Sequence, residues 1–380
     1  MRKIFSFALG FFFISCSGVA QEQVVSNSAD TIPPARITLL FAGDLMQHKP
    51  QINAARTPEG TYDYSPCFSL VKEQISKADI AIGNLEVPIG GKPYGGYPAF
   101  CAPDEYLYAI KEAGFDVLLT GNNHCLDRGK KGLERTILML DSLQIPYAGT
   151  YKNEDERRQR YPLFIRKNGF HIAFLNYTYG TNGIKPTSPN IVNYIDKEII
   201  LQDIQVAQSF QPDIIIASMH WGNEYQLLPS KEQRQLADWL LAQGVTHIIG
   251  THPHVIQPMQ LRTDSITGTQ HAVIYSLGNF ISNMSKVNTD GGLTFTLELE
   301  KDTTTSGMPN PNIRVSNCSY NLVWTGLPTL TKEKNYVLYP TDSISISKLP
   351  EIARNRLNIF MKNSRKFLQQ HNAGIKENKK

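Results

Sequence analysis

The chain has 380 residues, of which 41% are hydrophobic and 19% charged, so its composition predicts a sizeable core and argues against global disorder. The formal net charge of +4 comes from the two ends. Residues 1–20 hold two basic residues and no acid, and residues 361–380 hold six basic residues and one acid, which leaves about −3 for the body. An acidic body argues against a nucleic-acid-binding surface, so no nucleic acid is expected among the partners.

Residues 1–20 predict an export signal. Two basic residues precede an apolar run, Ile4 to Ile14, that is too short to span a membrane, and small residues follow it. Cleavage after Ala20 is one expected outcome. The alternative is a lipoprotein signal that ends before Cys16, which would make a lipid anchor on that residue the only membrane attachment. Both outcomes predict a periplasmic or extracellular protein.

The remaining cysteines do not predict a disulfide scaffold. They are well spread along the chain and lack CxxC spacing. A single bridge between Cys67 and Cys101 is an open alternative in an oxidising compartment.

From residue 37 onward, short apolar runs alternate with polar loops and helix-like stretches, after a polar linker at 21–36. This rhythm predicts an α/β fold whose strands are buried on both faces. The main domain is expected to span 37–284, with a β extension at 285–347 and a C-terminal helix and basic tail at 348–380. The predicted strands of the main domain are Ile37–Ala42, Asp79–Ile82, Phe115–Thr120, His171–Tyr177, Asp213–Ser218, Val245–Ile249 and Ala272–Leu277, and predicted helices include Gly132–Leu143 and Lys231–Gln243.

Clusters of metal-ligand residue types follow almost every predicted strand. In open α/β folds, the loops at the C-terminal ends of the strands form the ligand crevice. Four of the nine histidines lie in these loops, which packing alone does not explain. The six clusters are Gly43–Met46, Gly83–Glu86, Thr120–Asp127, Met219–Tyr225, Ile249–Pro258 and Tyr275–Phe280.

Two of these clusters suggest specific chemistry. His252 and His254 are separated by a proline that disfavours helix, so an extended segment is expected to point both imidazoles the same way, towards one metal or two neighbouring ones. In the third cluster, the oxygen of an Asn can complete a metal's shell. The adjacent His124, oriented by Asp127, can give a proton to a leaving group.

One Asp, one Glu, one Asn and three His together mix hard oxygen donors with borderline nitrogen donors. This set predicts a divalent transition metal, with two ions of Mn, Fe or Zn favoured over calcium or a closed structural zinc. Two such ions can activate water and stabilise an in-line phosphoryl displacement.

The six clusters, in this order, resemble the motifs of the bacterial CapA family, the poly-γ-glutamate capsule-synthesis proteins. The resemblance covers residues 37–282, roughly two-thirds of the chain. It implies a fold similar to the calcineurin-like metallophosphoesterases: a sandwich of two mixed β-sheets flanked by α-helices, here with a C-terminal β extension.

The same resemblance implies roles for individual residues. Asp44 would ligate one metal and Glu86 would bridge two, while His124 and Asp127 would be catalytic. The implied metal ligands are Asp44, Glu86, Asn123, His220, His252 and His254. The residues expected to contact substrate are Asn84, Asn122, Trp221, Glu224, Tyr225 and Asn279.

Two positions depart from the phosphoesterase pattern. Met46 stands where those enzymes usually carry a His, and Glu86 stands where they usually carry an Asp. His48 could replace the missing imidazole only if its loop bends back towards the site.

Three functions are compatible with these motifs. The leading hypothesis is an exported, metal-dependent hydrolase or transferase that acts on an envelope polymer or its precursor, with capsule-synthesis membrane proteins as candidate partners. The second is a periplasmic metallophosphoesterase. The third is a non-catalytic, metal-stabilised scaffold that binds polymer.

Overall fold

The computed structural model of the protein describes residues 33–302, 312–341 and 344–378. The predicted export signal, most of the predicted linker and residues 303–311 of the predicted β extension lie outside the described residues. Within them, no helix combines the length and apolar character needed to cross a membrane.

Strands and helices alternate along the chain, as the sequence predicts. In chain order the strands are Ala35–Leu45 (β1), Ile80–Leu85 (β2), Val117–Leu119 (β3), Tyr147–Ala148 (β4), Thr150–Tyr151 (β5), Leu163–Lys167 (β6), Phe170–Thr178 (β7), Ile191–Val192 (β8), Ile214–His220 (β9), His247–Thr251 (β10), Met259–Thr263 (β11), Gln270–Ile274 (β12), Asn279–Ile281 (β13), Gly291–Lys301 (β14), Ile313–Gly326 (β15), Val337–Pro340 (β16) and Lys376–Glu377 (β17). The helices are Lys49–Ala55 (α1), Ser65–Phe68 (α2), Lys72–Ser76 (α3), Asp104–Glu112 (α4), Gly129–Ser142 (α5), Glu154–Arg160 (α6), Lys197–Ser209 (α7), Lys231–Ala242 (α8), Pro328–Thr331 (α9) and Glu351–His371 (α10), with a 3₁₀ turn at Ile344–Lys348.

Two mixed sheets form the body of the protein. The first has the order β16-β15-β14-β1-β2-β3-β4, with β13 beside β1 and β17 beside β15. The strands β1 to β4 are parallel, whereas β14 runs antiparallel to β1. The second sheet has the order β11-β12-β10-β9-β7-β6, in which β7, β9, β10 and β12 are parallel and the edge strands are antiparallel. A short ribbon pairs β5 with β8.

This architecture confirms the predicted fold class, two mixed sheets flanked by helices, with C-terminal strands that extend the first sheet. One contiguous core joins both sheets, from Phe41 and Phe295 on the first to Phe174 and Ile216 on the second. Because both faces of the central strands are covered, β2 and β9 are buried at every position. The domain limits drawn from the sequence stay predictions.

The four cysteines among the described residues are buried and free. The alternative of a bridge between Cys67 and Cys101 is therefore wrong for this structure. Each thiol packs as a small apolar side chain in the interior.

Two glycines allow the strands to approach their neighbours closely beside the crevice. A Cβ on Gly43 would lie 1.9 Å from the carbonyl oxygen of Gly278, and a Cβ on Gly250 would lie 2.0 Å from that of Tyr275. A larger residue at either position would push the strand away. These glycines therefore set the positions of the polar residues that follow them.

Candidate metal centre

The C-terminal ends of strands from both sheets meet in one buried crevice. The first sheet contributes the ends of β1, β2 and β3, and the second contributes β9 and β10. The Oδ1 atom of Asn123 lies 2.7 Å from Nε2 of His220, which joins the two sheets directly. The predicted ligands all lie buried at these strand ends: Asp44, Glu86, Asn123, His220, His252 and His254.

Two carboxylates in this crevice have oxygens without a hydrogen-bond partner, although Nδ1 of His254 lies 3.3 Å from Oδ2 of Asp44 and Nε2 of His220 lies 3.7 Å from Oε1 of Glu86. Asp44 and Glu86 are both 0% exposed. Neither Glu86 oxygen has a hydrogen-bond partner, and the same holds for Oδ2 of Asp44. Burial, and then the neighbouring Asp44 carboxylate, raise the pKa of Glu86 well above its usual range. Two adjacent buried carboxylates are costly unless a positive charge compensates them.

The imidazoles beside the carboxylates are in the form that binds metals. Burial, and then His252 and His254, lower the pKa of His220 well below its usual range. Burial and the neighbouring His254 lower the pKa of His252 to about 3. A neutral imidazole keeps a lone pair for a metal, and Nδ1 of the buried His252 has no hydrogen-bond partner.

Ligand atoms from these residues lie close enough to share a cation. One ligand atom each from Asp44, Glu86 and His220 lies within 4.8 Å of the others, and so does one each from Glu86, His252 and His254. Glu86 belongs to both groups. The unpartnered buried oxygens and the mixed oxygen and nitrogen donors therefore fit a divalent transition metal, and the shared Glu86 is compatible with two ions.

Three buried asparagines lie beside the predicted ligands, and two of them contact a ligand directly. The Nδ2 group of Asn84 donates to Oδ1 of Asp44 at 2.8 Å, which leaves Oδ2 facing the crevice. Asn279 Oδ1 lies 3.0 Å from Nδ1 of His254. Asn122 donates to the carbonyl oxygen of Leu85 at 2.8 Å. These three are expected to contact substrate, and that role stays a prediction; the structure buries all three side chains.

The HPH segment brings its two imidazoles to the crevice in an unexpected backbone conformation. The expectation of an extended segment is wrong, because φ is +99° at His252 and +60° at His254. The two ring centroids are 5.9 Å apart and inclined at 58°. Left-handed conformations are uncommon for residues other than glycine, so surrounding contacts hold the loop in this form.

His124 and Asp127 form a buried pair beside the carboxylates. Nδ1 of His124 lies 2.7 Å from Oδ2 of Asp127, and that carboxylate also accepts the backbone N–H of Phe100 at 2.8 Å. The Phe100 ring packs edge-on against the His124 ring with centroids 4.5 Å apart. Because Asp127 and Phe100 fix the ring, Nε2 of His124 is the nitrogen left for chemistry.

His48 does not replace the imidazole missing at position 46. Its Nδ1 accepts the backbone N–H of Asn283 at 3.3 Å, and its backbone N–H donates to Gln51 at the start of α1. Met46 is buried in the apolar core. The His48 ring packs against Phe100 with centroids 5.0 Å apart, and among the described residues it belongs to neither group of atoms that could share a cation.

The remaining expected contact residues divide into a buried one and two exposed ones. Trp221 is buried, and its indole N–H donates to the carbonyl oxygen of Tyr275 at 2.9 Å. Its ring packs in the core and does not line the mouth of the crevice. Glu224 and Tyr225 are exposed in the loop that follows, and the Tyr225 ring lies 6.1 Å from the ring of His254.

The loop after β7 contributes two residues that sequence reasoning missed. The half-exposed Tyr179 ring lies 4.4 Å from the His252 ring and covers it. Asn182 accepts from Nδ2 of Asn123 at 3.2 Å, which orients the Asn123 oxygen towards His220. The signal was their position after a predicted strand, but that loop carries no His or acid to draw attention.

The family model described as the bacterial capsule synthesis protein PGA_cap matches residues 38–284 of this chain. The match spans every ligand of the candidate centre. It ends before β14, so the C-terminal strands and α10 lie beyond it.

Two relatives are similar to much of the chain. The capsule biosynthesis protein CapA of Bacillus anthracis is 28% identical over 65% of this chain and 60% of its own length. The PGA biosynthesis protein CapA of Bacillus subtilis is 27% identical over 78% of this chain and 76% of its own length. The match therefore spans less than two-thirds of the first relative.

Two solved structures have a similar chain arrangement at low sequence identity. The NAD nucleotidase of Haemophilus influenzae matches 88% of this chain and 61% of its own, with a TM-score of 0.47 and 11% identity. The calcineurin-like phosphoesterase YfkN of Bacillus subtilis matches 89% of this chain and 99% of its own, with a TM-score of 0.43 and 12% identity.

Proposed function

Because the chain belongs to the bacterial capsule synthesis protein family PGA_cap, we propose that it is an exported, metal-dependent enzyme of capsule or envelope-polymer synthesis. Its reaction is hydrolysis or group transfer on the polymer or a precursor. The names of the two relatives, which refer to capsule and PGA biosynthesis, support poly-γ-glutamate or a related envelope polymer as the substrate class.

One observation carries the proposal. Three carboxylate oxygens of Asp44 and Glu86 are buried without a hydrogen-bond partner beside neutral imidazoles. A scaffold has no need of this arrangement, because burying unpaired carboxylates destabilises the fold. Active sites accept such a cost when the groups act on a cofactor or substrate.

The residues of the chain divide the work between holding a cation and moving a proton. Asp44, Glu86, Asn123 and the three histidines at 220, 252 and 254 would hold a Mn, Fe or Zn ion, or two. Such an ion would supply positive charge that polarises a substrate oxygen and increases the acidity of water. His124 donates its Nδ1–H to Asp127 at 2.7 Å, so its Nε2 carries the proton to the leaving group when the ring is protonated.

Location and partners belong to the same proposal. The N-terminal segment supports export to the periplasm or the cell surface, with Ala20 and Cys16 as competing processing points. Capsule-synthesis membrane proteins are the proposed partners, since polymer export requires a membrane machine.

The first test measures metal and turnover in the same preparation. We expect purified mature protein, prepared without chelator, to contain transition metal by elemental analysis and to shorten or transfer γ-linked glutamate polymer. His124→Gln should lower kcat by roughly 10²–10⁴-fold without loss of bound metal, because it removes the proton donor but no ligand. His271→Gln is the matched control and should keep full turnover, because this imidazole lies near the start of β12, at the opposite end of the sheet from the crevice.

Other outcomes would favour the two other functions. Turnover of simple phosphomonoesters or diesters with added Mn, and none of envelope polymer, would favour a periplasmic metallophosphoesterase. A protein whose polymer-related function survives His124→Gln, while Glu86→Gln lowers only its stability, would be a metal-stabilised scaffold.

A further inference from the structure

A groove separate from the metal centre lies between α10 and two loops of the main domain. Its volume is about 200 Å³. Leu227 and Ile256 form one wall, and Phe367 and Gln370 of α10 form the other. Lys366 also lines the groove from α10.

Two residues of the groove lie close along the chain to the metal centre and to its mouth. Leu227 follows Tyr225 by two residues, and Ile256 follows the ligand His254 by two residues. The exposed Tyr225 ring lies beside the centre: its centroid is 6.1 Å from the His254 ring, and Nζ of Lys286 lies 4.6 Å from the same Tyr225 ring. A chain-like ligand that leaves the centre past Tyr225 is then two residues along the chain from Leu227, which lines the groove.

A hydrogen-bonded loop fixes α10 relative to the centre. Asn279, which orients His254, donates from Nδ2 to the carbonyl oxygen of Thr289 at 2.9 Å. Asn363 of α10 donates to the side chain of Asn288 in the same loop at 3.3 Å. These hydrogen bonds therefore fix the position of α10 relative to the predicted ligand His254.

The lining combines a cation, amides and apolar carbon. Among the described residues that line the groove, Lys366 carries a positive charge and none carries a negative one. Asn288, Asn363 and Gln370 offer both donors and acceptors, which can pair with peptide groups. Leu227, Ile256 and Phe367 provide apolar surface for methylene groups. This chemistry fits an acidic polyamide better than a polyhydroxylated glycan.

The wall formed by α10 is an addition to the family domain. The family match ends at residue 284, whereas most of the lining comes from residues 288–370. The metal centre belongs to the shared part, so a groove completed by α10 is suited to selecting the polymer that this chain acts on.

We propose that this groove is a binding subsite for an acidic polyamide, in which Lys366 pairs with a carboxylate of a segment several units away from the reacting bond. This inference rests on the proposed function, since it assigns the polymer of that same centre. It makes Lys366 a specificity-determining residue that acts without touching the metal.

The test measures binding of a defined oligomer to the full mature chain. The probe is a fluorescein-labelled oligomer of γ-linked glutamate, followed by anisotropy near physiological salt, where distant charges are screened. Lys366→Gln should weaken binding by about tenfold, because one charge-assisted hydrogen bond is lost. Gln370→Trp should weaken it similarly, since the exposed side chain would fill the groove. Lys362→Gln, one turn earlier on α10 and outside the lining, is the matched control and should change binding by less than about twofold.

Three results would overturn the subsite. Equal weakening by Lys362→Gln and Lys366→Gln would mean that the oligomer responds to the overall positive charge of α10 and makes no specific contact with Lys366. Unchanged binding in both Lys366→Gln and Gln370→Trp would place the oligomer elsewhere. Binding of oligogalacturonate that depends on Lys366, with none of the glutamate oligomer, would replace the polyamide with a polyuronate. Failure of the proposed function would look different. The groove would still bind the oligomer, but the protein would lack bound metal or would lack turnover that depends on His124.

Discussion

Two buried polar regions of this protein differ in whether the chain itself completes them. Between α6, α7 and β7, Arg157 donates to Asp203 at 2.7 Å and to Asn193 at 2.8 Å. The hydroxyl of Tyr177 donates to the same Asp203 carboxylate at 2.8 Å. At the metal centre, by contrast, the carboxylate of Glu86 has no hydrogen-bond partner at all.

The difference distinguishes buried polar groups that stabilise the fold from buried polar groups that are available to bind a ligand. A buried carboxylate alone does not indicate a site, because Asp203 is nearly as well buried as Glu86 and has a cation of the protein beside it. The informative feature is the incomplete set of partners. We expect the free energy that compensates Glu86 to come from a bound cation, and the following predictions test that contrast.

The largest effect is expected around Arg157 and Asp203, where the protein supplies all the hydrogen-bond partners described above. Arg157→Met should lower the free energy of unfolding by about 3–5 kcal/mol, because Asp203 would be left buried without its cation. The double variant Arg157→Met with Asp203→Leu should regain part of this loss. Urea denaturation in chelator measures both, and bound metal should stay at the wild-type level. A loss of metal with Arg157→Met would mean that the two regions are coupled.

Glu86→Gln should change stability with a sign that depends on metal. With metal at about 100 times its Kd, the wild type should gain about 2.7 kcal/mol, and the variant should lose most of that gain with the ligand. In chelator the variant should be the more stable protein, because one of two adjacent buried carboxylates is neutralised. Thermal unfolding with and without Mn measures this. Asp203→Asn, the control, should keep the metal-dependent gain in stability. If Glu86→Gln and Asp203→Asn gain equally from metal, the two regions do not differ in the way proposed.

Asn84→Ala and Asn279→Ala should weaken metal affinity by about 10–100-fold, since they orient Asp44 and His254 without being ligands. Competition with a metal-binding dye measures the affinity. Asn190→Ala removes another buried amide, one that bonds to Glu134, and should leave metal affinity unchanged. If all three variants behave alike, the effect reflects general stability.

The smallest effect concerns the pH dependence of stability caused by His247, a buried histidine that has a hydrogen-bond partner within the protein. Burial, and then His271, lower the pKa of His247 from 6.5 to about 3, and its Nδ1 accepts the N–H of Ala272 at 3.1 Å. The imidazole therefore stays neutral in the folded protein and gains a proton on unfolding. Stability should be nearly unaffected above about pH 7.5 and fall as pH drops through 6.5 towards 3, by about 0.8 kcal/mol at pH 6 from this residue.

His247→Gln supplies the comparison for that pH dependence. The variant keeps an acceptor for Ala272 and has no proton to gain. The difference in unfolding free energy between wild type and variant, measured in chelator from pH 7.5 to 5, should shrink as pH falls. A difference that is constant with pH would show that His247 does not contribute.

The sequence predicts the fold and the strand-end location of the centre because both depend on local patterns. Strands buried on both faces produce continuous apolar runs, and polar residues at the ends of those runs are conspicuous. The helix predicted at Lys231–Gln243 is found at Lys231–Ala242, since Ser230 and Gln233 form a capping box that fixes its start.

What the sequence does not predict depends on pairing between distant segments. The role of Asn279 depends on β13 lying beside β1, where Asn279 is the register partner of Asp44, 235 residues away. Likewise, the left-handed conformations of His252 and His254 are imposed by their surroundings, whereas local rules favoured an extended segment. Tyr179 and Asn182 were missed because neither residue type is conspicuous as a ligand.

The antiparallel pairing of β14 with β1 has a consequence for how the protein can be divided. Eight residue pairs, from Ala35 with Lys301 to Ala42 with Thr294, join β1 to β14. A fragment that ended at residue 284, where the family match ends, would turn the strand that carries Asp44 into a bare sheet edge. Such edges recruit strands from other chains, so we expect that fragment to aggregate, whereas a chain that keeps β14 and β15 should remain soluble.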